Sequence, residues 1–450
     1  MPRSFTQGIL REPHPHGMSF ATSVLIAFGF CAQPAAGQET LKDAWKLALG
    51  TDHRLKSANR SAQAAKETMA AAKTARLPSI STEDGYTALS HALAAKLNLS
   101  GLQELIPIPL PNQVQLSEDR FFVSATMLSL PVYTGGRIRR TIEAANAGVE
   151  VSLAERDRTA LDIKMSVAEA FTAVLRTLRL VAVATQSAKT LEGHAQDASN
   201  LYELGLVAKN DLLAAQAVLA EAKQKTLQAV NALDLATSAY NRLLGREFTY
   251  PVELIDSTMP QVDDSEAELS AQALRIRPEL RGLLYQARAL RHEASVERAA
   301  VLPQVAFLGG FTHIQNKLLV DPNIWSATLG VKWNVFDSGM ARRKTRALTE
   351  RAEAVSEIRS DAETLISLQV HQALLDVRET RQRIVVAREV MAQADENLKV
   401  AKDRYVEGVG VNTEVLDAEA LRTRSSANLA NATYDLALTY LRLQRAIGTI

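Results

Sequence analysis

Two long tracts of this 450-residue chain, residues 132–250 and 323–450, contain none of its 14 prolines. A proline inside a helix removes a backbone donor and clashes with the preceding turn, so these are the stretches where helices of many turns can run unbroken. Within the first, Val167, Phe171, Val174, Leu178 and Val181 recur at spacings of four and three, the 3.5-residue period of a coiled seam. The pattern predicts a helix from about Arg137 to about Glu203, roughly 100 Å long at 1.5 Å per residue. Apolar residues make up 47% of the chain and aromatics only 5%, which suits long helices rich in small side chains and argues against a disordered chain.

The two tracts are copies of each other. Tyr202-Glu203-Leu204-Gly205-Leu206-Val207 aligns with Tyr405-Val406-Glu407-Gly408-Val409-Gly410 at an offset of 203, and Val132-Tyr133-Thr134-Gly135-Gly136 aligns with Val335-Phe336-Asp337-Ser338-Gly339 at the same offset. Upstream, Leu77-Pro78 and Gly85-Tyr86-Thr87 match Leu302-Pro303 and Gly310-Phe311-Thr312 at an offset of 225, so the first copy carries about 22 extra residues between positions 88 and 121. Each copy reads helix, strand, loop, strand, long helix, tight turn, helix. The boundaries that follow are a first repeat over 38–247, a connecting segment over 248–263 and a second repeat over 264–450.

The strands are read from alternation. Trp325, Ala327, Leu329, Val331 and Trp333 share one face of a strand, and Ser326, Thr328, Gly330, Lys332 and Asn334 share the other. The eight steps between the two tryptophans span roughly 26 Å, close to the height of the lipid-facing band of an outer-membrane barrel. In the first copy, Phe121, Val123, Ala125 and Met127 against Phe122, Ser124 and Thr126 repeat the pattern less cleanly. Weaker strand signals lie near 79–89 and 304–314. Four strands cannot close a barrel, and an open edge is not tolerated in lipid, so several chains must share one. Three would supply twelve strands, enough to leave a lumen.

The N-terminus addresses the chain. Arg3 and Arg11 precede an apolar run from Phe20 through Phe30, followed by the small residues Ala35, Ala36 and Gly37, the layout of a secretory signal peptide over residues 1–37. The single cysteine, Cys31, lies within it, which leaves no disulfide framework or zinc cluster elsewhere. The segment contains two arginines and one glutamate, so the 51 basic and 50 acidic residues of the whole chain become 49 and 49, a neutral balance that excludes nucleic acid as a bulk electrostatic partner.

The signal peptide, the duplicated units, the junction Ser129-Leu130-Pro131-Val132-Tyr133-Thr134-Gly135-Gly136 and the two turns Tyr202-x-x-Gly205 and Tyr405-x-x-Gly408 together resemble the outer membrane efflux family of TolC-like channel-tunnels. The resemblance covers about residues 39–450. It implies a mainly α fold with a membrane β-barrel portion: a long coiled helical tunnel, and four strands per chain in a shared 12-stranded barrel of a homotrimer in outer membrane lipid. It implies a periplasmic adaptor and an inner-membrane transporter of ABC or RND type as partners, and no cofactor. The tips Gly205, Leu206, Val207, Gly408, Val409 and Gly410 would meet the adaptor. The row Trp325, Ala327, Leu329, Val331 and Trp333 would face lipid. Glu414 and Asp417 would line the narrowest point of the tunnel, Asp211 would help tie the closed tip, and Tyr405 would link the gate. Gly410 stands where the family pattern has an arginine partner for that network.

The residues by themselves also admit a plainer account. Asn210 and Asn412 are natural N-caps, and Asp211 and Glu414 then fall in a first helical turn, where carboxylates favour the macrodipole. Asp417 shares a face with Glu414 at i, i+3, where like charges repel, which that account does not explain. The basic clusters Arg137, Arg139, Arg140 and Arg342, Arg343, Lys344 mark a headgroup boundary or a solvated face. The eight histidines are scattered without metal-ligand spacing, and no phosphate loop or dinucleotide fingerprint is present, so no enzyme chemistry is indicated. The function expected is a passive exit duct of a tripartite export system. The alternative is a soluble periplasmic coiled-coil scaffold or adaptor.

Overall fold

The computed structural model describes residues 38–98, 113–256 and 265–450. The signal peptide over 1–37, residues 257–263 of the expected connecting segment and residues 99–112 of the insertion lie outside the described residues.

The first copy opens with α1 (Leu41–Thr51) and α2 (His53–Thr74), then β1 (Ser79–Ala88), a short hairpin of β2 (Ala94–Lys96) and β3 (Gln113–Gln115), and β4 (Arg120–Tyr133). It continues with α3 (Arg137–Glu203) and α4 (Lys209–Leu244). The second copy repeats the order as α5 (Glu266–Ile276), α6 (Pro278–Ala299), β5 (Gln304–Gln315), β6 (Asn323–Lys332), α7 (Met340–Val406) and α8 (Asn412–Ile447). The expected 100 Å helix is present between the expected ends, and its copy α7 has the same 67 residues. The inserted stretch builds the β2–β3 ladder, whose base is closed by the Leu89 amide donating to the Asp119 carbonyl.

The repeat is visible in the core as well as in the element order. Ala44 and Ala48 of α1 pack with Ile163, Val167 and Phe171 of α3 and with Tyr240 and Leu244 of α4. Their repeat equivalents Leu269 and Ala273 pack with Ile366, Val370 and Ala373 of α7 and with Leu443 and Ile447 of α8. A small residue on the short helix lets it lie close in the groove between two long ones. The halves are tied across this level by ion pairs, with Arg445 of α8 reaching both Asp162 of α3 at 2.6 Å and Glu279 of α6 at 3.1 Å.

The helical seam departs from the expected register. Val167, Phe171 and Val174 are buried, but Leu178 is exposed in the single chain, and burial resumes at Val183, Ser187, Leu191, His194 and Ala198. A straight helix drifts against a strict 3.5-residue repeat, so a seam extrapolated from its first heptads rotates away from its neighbour.

The four long strands form one antiparallel sheet in the order β1-β4-β5-β6, which leaves β1 and β6 as edges. Trp325 stands opposite Phe311, Phe311 opposite Thr126 and Thr126 opposite Thr82, so these four share a face. Between that level and Val331 the same face carries Ile80, Leu128, Leu130, Gly309, Phe307, Val305, Ala327 and Leu329. The hydroxyls of Thr82 and Thr126 on this face bond each other at 3.0 Å. The opposite face carries Ser79, Ser81, Ser129, Ser326, Thr328 and Lys332. Trp333 lies just past β6, and its indole donates to the Val301 carbonyl.

This pairing corrects the reading of β4. Phe121, Val123, Ala125 and Met127 lie on the serine and threonine face, and the tryptophan face receives Phe122, Thr126, Leu128 and Leu130 instead. Because side chains alternate with period two, a one-residue error in register moves a whole row to the other side. Both rows of β4 are largely apolar, so its own alternation was a poor guide. The offset of 203, which takes Trp325 to Phe122, was the better one.

Candidate functional site at the hairpin tips

Helices α3 and α4 form one hairpin and α7 and α8 another, with α3 also running against α8. Each hairpin turns through a glycine in the left-handed region, Gly205 at φ +72° and Gly408 at φ +75°. The amides of Gly205 and Leu206 donate to the carbonyls of Tyr202 and Leu201, and those of Gly408 and Val409 to Tyr405 and Arg404, so both turns satisfy the last helical carbonyls with the same pattern. The left-handed residue in such a turn is disfavoured for any side chain with a Cβ, which explains the two glycines at matching repeat positions.

The expected contact residues separate into two groups. Gly205, Leu206, Gly408 and Val409 are exposed, with Leu206 at 69% and Val409 at 65%. Exposed Leu204 adjoins them. Val207 instead packs inward with Leu398, Tyr405, Val415 and Ala418, a small core that crosses from one hairpin to the other. Gly410 is crowded: a Cβ there would meet the backbone carbon of Arg404 and the amide nitrogen of Tyr405 at 3.0 Å.

That crowding explains why no basic side chain projects from Gly410, and the structure supplies one from the preceding helix. Arg404 donates to the Val409 carbonyl at 3.5 Å and lies 3.9 Å from the Glu414 carboxylate. Arg404 thus places a basic side chain beside Glu414 within the second hairpin. Arg404 sits in the last turn of α7, where a cation also suits the helix dipole, and that position was a usable signal in the sequence. Asp417 is exposed one turn further along α8.

The asparagine caps are not formed. The N-cap positions are Ala208 and Val411, without side-chain cap bonds, and Asn412 is already inside the helix. Its side chain is 4% exposed and points across to the other hairpin. There its amide nitrogen donates to the Asp211 carbonyl at 3.1 Å, and its oxygen lies 2.7 Å from Nε2 of His194. Asp211 thus contributes its backbone to the junction between hairpins.

His194 is buried to the same degree and stacks against Tyr405, ring centroids 4.9 Å apart and tilted by 58°. The Tyr405 hydroxyl is buried with no hydrogen-bond partner among the described residues. Burial, then the neighbouring charges of Asp211 and Asp197, push its pKa above the ordinary phenol value. Tyr405 therefore contributes its ring to the junction. Sequence reasoning passed over His194 as one of eight scattered histidines. The signal was its place in the seam, three residues after Leu191 and four before Ala198, where a polar side chain must find a partner.

The comparisons with known proteins agree with this architecture. The outer membrane efflux protein family matches residues 44–246 and 269–449, the two copies found here. Nodulation protein T of Rhizobium leguminosarum bv. trifolii is 22% identical over 326 residues, covering 70% of this chain and 69% of that protein. The cobalt-zinc-cadmium resistance protein CzcC of Cupriavidus metallidurans is 28% identical over 207 residues, 43% of this chain and 47% of that protein. The outer membrane protein VceC of Vibrio cholerae superposes with a TM-score of 0.74 at 16% identity, over 91% of this chain and 96% of that one.

Proposed function

Since the chain belongs to the outer membrane efflux protein family, we propose that it is the exit duct of a tripartite export system, a homotrimer whose helical tunnel stands in the periplasm. A periplasmic adaptor and an energised inner-membrane transporter, of ABC or RND type, complete the pathway. The observation that carries this reading is the sheet. One of its faces is largely apolar over the span between the tryptophans, with Trp325 79% exposed and Leu329 67% exposed in a single chain, and among the described residues β1 and β6 each lack a neighbouring strand on one side. A soluble scaffold would cover that face with its own helices. Three copies joined through β6 and β1 would close twelve strands and leave neither an open edge nor an uncovered apolar face.

The test is reconstitution. Purified from outer membranes, the protein should run as a trimer that heating converts to monomer, and it should open discrete conductance steps in planar bilayers. A soluble periplasmic monomer that forms no pores would sink the proposal.

The tips are read as the adaptor contact. Gly205→Val and Gly408→Val each force a β-branched residue into the left-handed region, at a local cost of about 1–2 kcal/mol, in turns distant from the sheet. Both variants should capture less adaptor in a pull-down at unchanged trimer yield, and undiminished capture would count against the assignment.

Glu414 and Asp417 are read as the ring of carboxylates at the tunnel's narrow end, drawing cations towards it. Arg404 lies beside Glu414 and not beside Asp417, so Asp417→Ala should relieve block by multivalent cations more than Glu414→Ala does. The double variant should lose most of the block and weaken cation selectivity. Unchanged ion selectivity and block in the double variant would reduce both residues to ordinary members of a helix start.

A further inference from the structure

The junction of the two hairpins near the tip is made by few polar groups. Moving from the tip towards the sheet, the next side-chain bond between α3 and α8 joins Thr423 to Ser187, eleven residues along α8 from Asn412. Between that point and the turns, the hairpins meet through the small apolar core around Val415 and Tyr405 and through His194, Asn412 and the Asp211 carbonyl. We propose that the buried His194–Asn412 hydrogen bond is the bolt that holds the tip of the second hairpin to the first, and so sets how far the periplasmic end of the duct stands open. This rests on the duct reading above.

The geometry assigns the roles of the two side chains. The Asn412 amide nitrogen is committed to the Asp211 carbonyl, so its oxygen faces the ring. Nε2 of His194 must therefore carry the hydrogen and donate. The three groups then form one chain, from imidazole to carboxamide to main-chain carbonyl, that crosses α3, α8 and α4. Both side chains are 4% exposed, and pulling the hairpins apart without admitting water would leave each unpaired. A bond of this kind keeps two packed elements in one arrangement rather than a continuum of separations. The ring of Tyr405 serves as the wall against which the imidazole is held.

The groups facing His194 give the bolt a pH dependence. Burial pushes its pKa below the ordinary imidazole value of 6.5; against that, the Asn412 bond and the carboxylate of Asp197 on its own helix favour the cation, and Lys402 on α7 opposes it. From α7 the Tyr405 ring and from α8 the Asn412 amide are neutral, and Asp211 of α4 meets Asn412 through its carbonyl. In a separated tip the imidazole returns to its ordinary pKa, so the closed state binds fewer protons than the open one. Closure is then strongest above pH 6.5 and weakens as pH falls through that value.

The experiment uses full-length trimers in planar bilayers. His194→Phe keeps a ring and loses the donor, His194→Gln keeps a donor, and Asn412→Ala removes the bridge. Losing one buried partner should raise the ratio of open to closed tip about tenfold per chain. His194→Phe and Asn412→Ala should conduct more than the parent at pH 7.5. His194→Gln should match the parent at that pH and lose its increase in conductance on acidification to pH 5.5. Packing alone would not separate phenylalanine from glutamine in that order. If both His194→Phe and Asn412→Ala form trimers with parental conductance, or if His194→Gln keeps the parental pH profile, the bolt is wrong. A parent protein that forms no pores would instead remove the duct reading beneath it.

Discussion

Leu329→Arg is expected to cost about 2–4 kcal/mol for every chain of the proposed barrel, where it would place a guanidinium near the middle of a lipid-facing band. The proposed trimer would contain three such sites, so its heat-modifiable form should nearly vanish from membranes. Thr328→Arg, one position along the same strand but on the serine and threonine face, should assemble close to normally. The pairing extends the contrast to β4, where Leu128 shares the face of Leu329 and Met127 shares that of Thr328. Leu128→Arg should therefore be as damaging as Leu329→Arg, and Met127→Arg much milder. Trimer yield from membranes containing each variant measures all four. If Met127→Arg proves the more damaging of the β4 pair, the register between the first and second copies is wrong. Equal effects from Leu329→Arg and Thr328→Arg would remove the barrel altogether.

The second large effect is expected among the long helices, at a buried ion pair. Glu419 of α8 is 2% exposed, and Arg422 grips both of its oxygens, Nε to Oε2 at 3.0 Å and Nη2 to Oε1 at 3.0 Å. The Thr423 hydroxyl also lies 3.0 Å from the same carboxylate and 2.8 Å from Ser187 on α3. The bond to Glu419 is the chief reason that Arg422 has its pKa raised above the usual guanidinium value. Arg422→Met keeps the length of the side chain and leaves the carboxylate buried without its cation, a loss of about 3–5 kcal/mol. The denaturant midpoint of the variant should fall with little change in slope. Adding Glu419→Gln to the methionine variant removes the stranded charge and should return much of the loss. A single variant as stable as the parent would mean that water or a neighbouring chain already solvates Glu419.

Much of the fold was legible because it is written in local patterns. The ends of α3 follow from the Gly-Gly junction before Arg137 and the tight turn after Glu203, both within a few residues of the helix they bound. The duplication was legible because repeated turns and junctions keep their spacing whatever surrounds them. The tryptophan row of β6 was legible because its two faces differ so sharply in polarity. At the tip the sequence offered Asp211, Tyr405, Glu414 and Asp417 through a resemblance, and the structure shows which of their atoms make contacts within one chain. Asp211 contributes a carbonyl, Tyr405 a ring, and Glu414 lies beside Arg404.

The sequence by itself determined the long helices, the four long strands, the repeat and the place of the hairpin turns, because each depends on residues within a few positions of one another. It read one helix where each copy opens with two, and it missed the β2–β3 ladder. Only the tertiary structure decided which face of β4 joins the tryptophans, where the α3 seam rotates, and that His194 meets Asn412 across 218 positions of chain. Those outcomes depend on the pairing of segments remote in sequence. A strand with two apolar faces fits either register alone, and a histidine in a seam acquires its partner only when another helix is laid beside it.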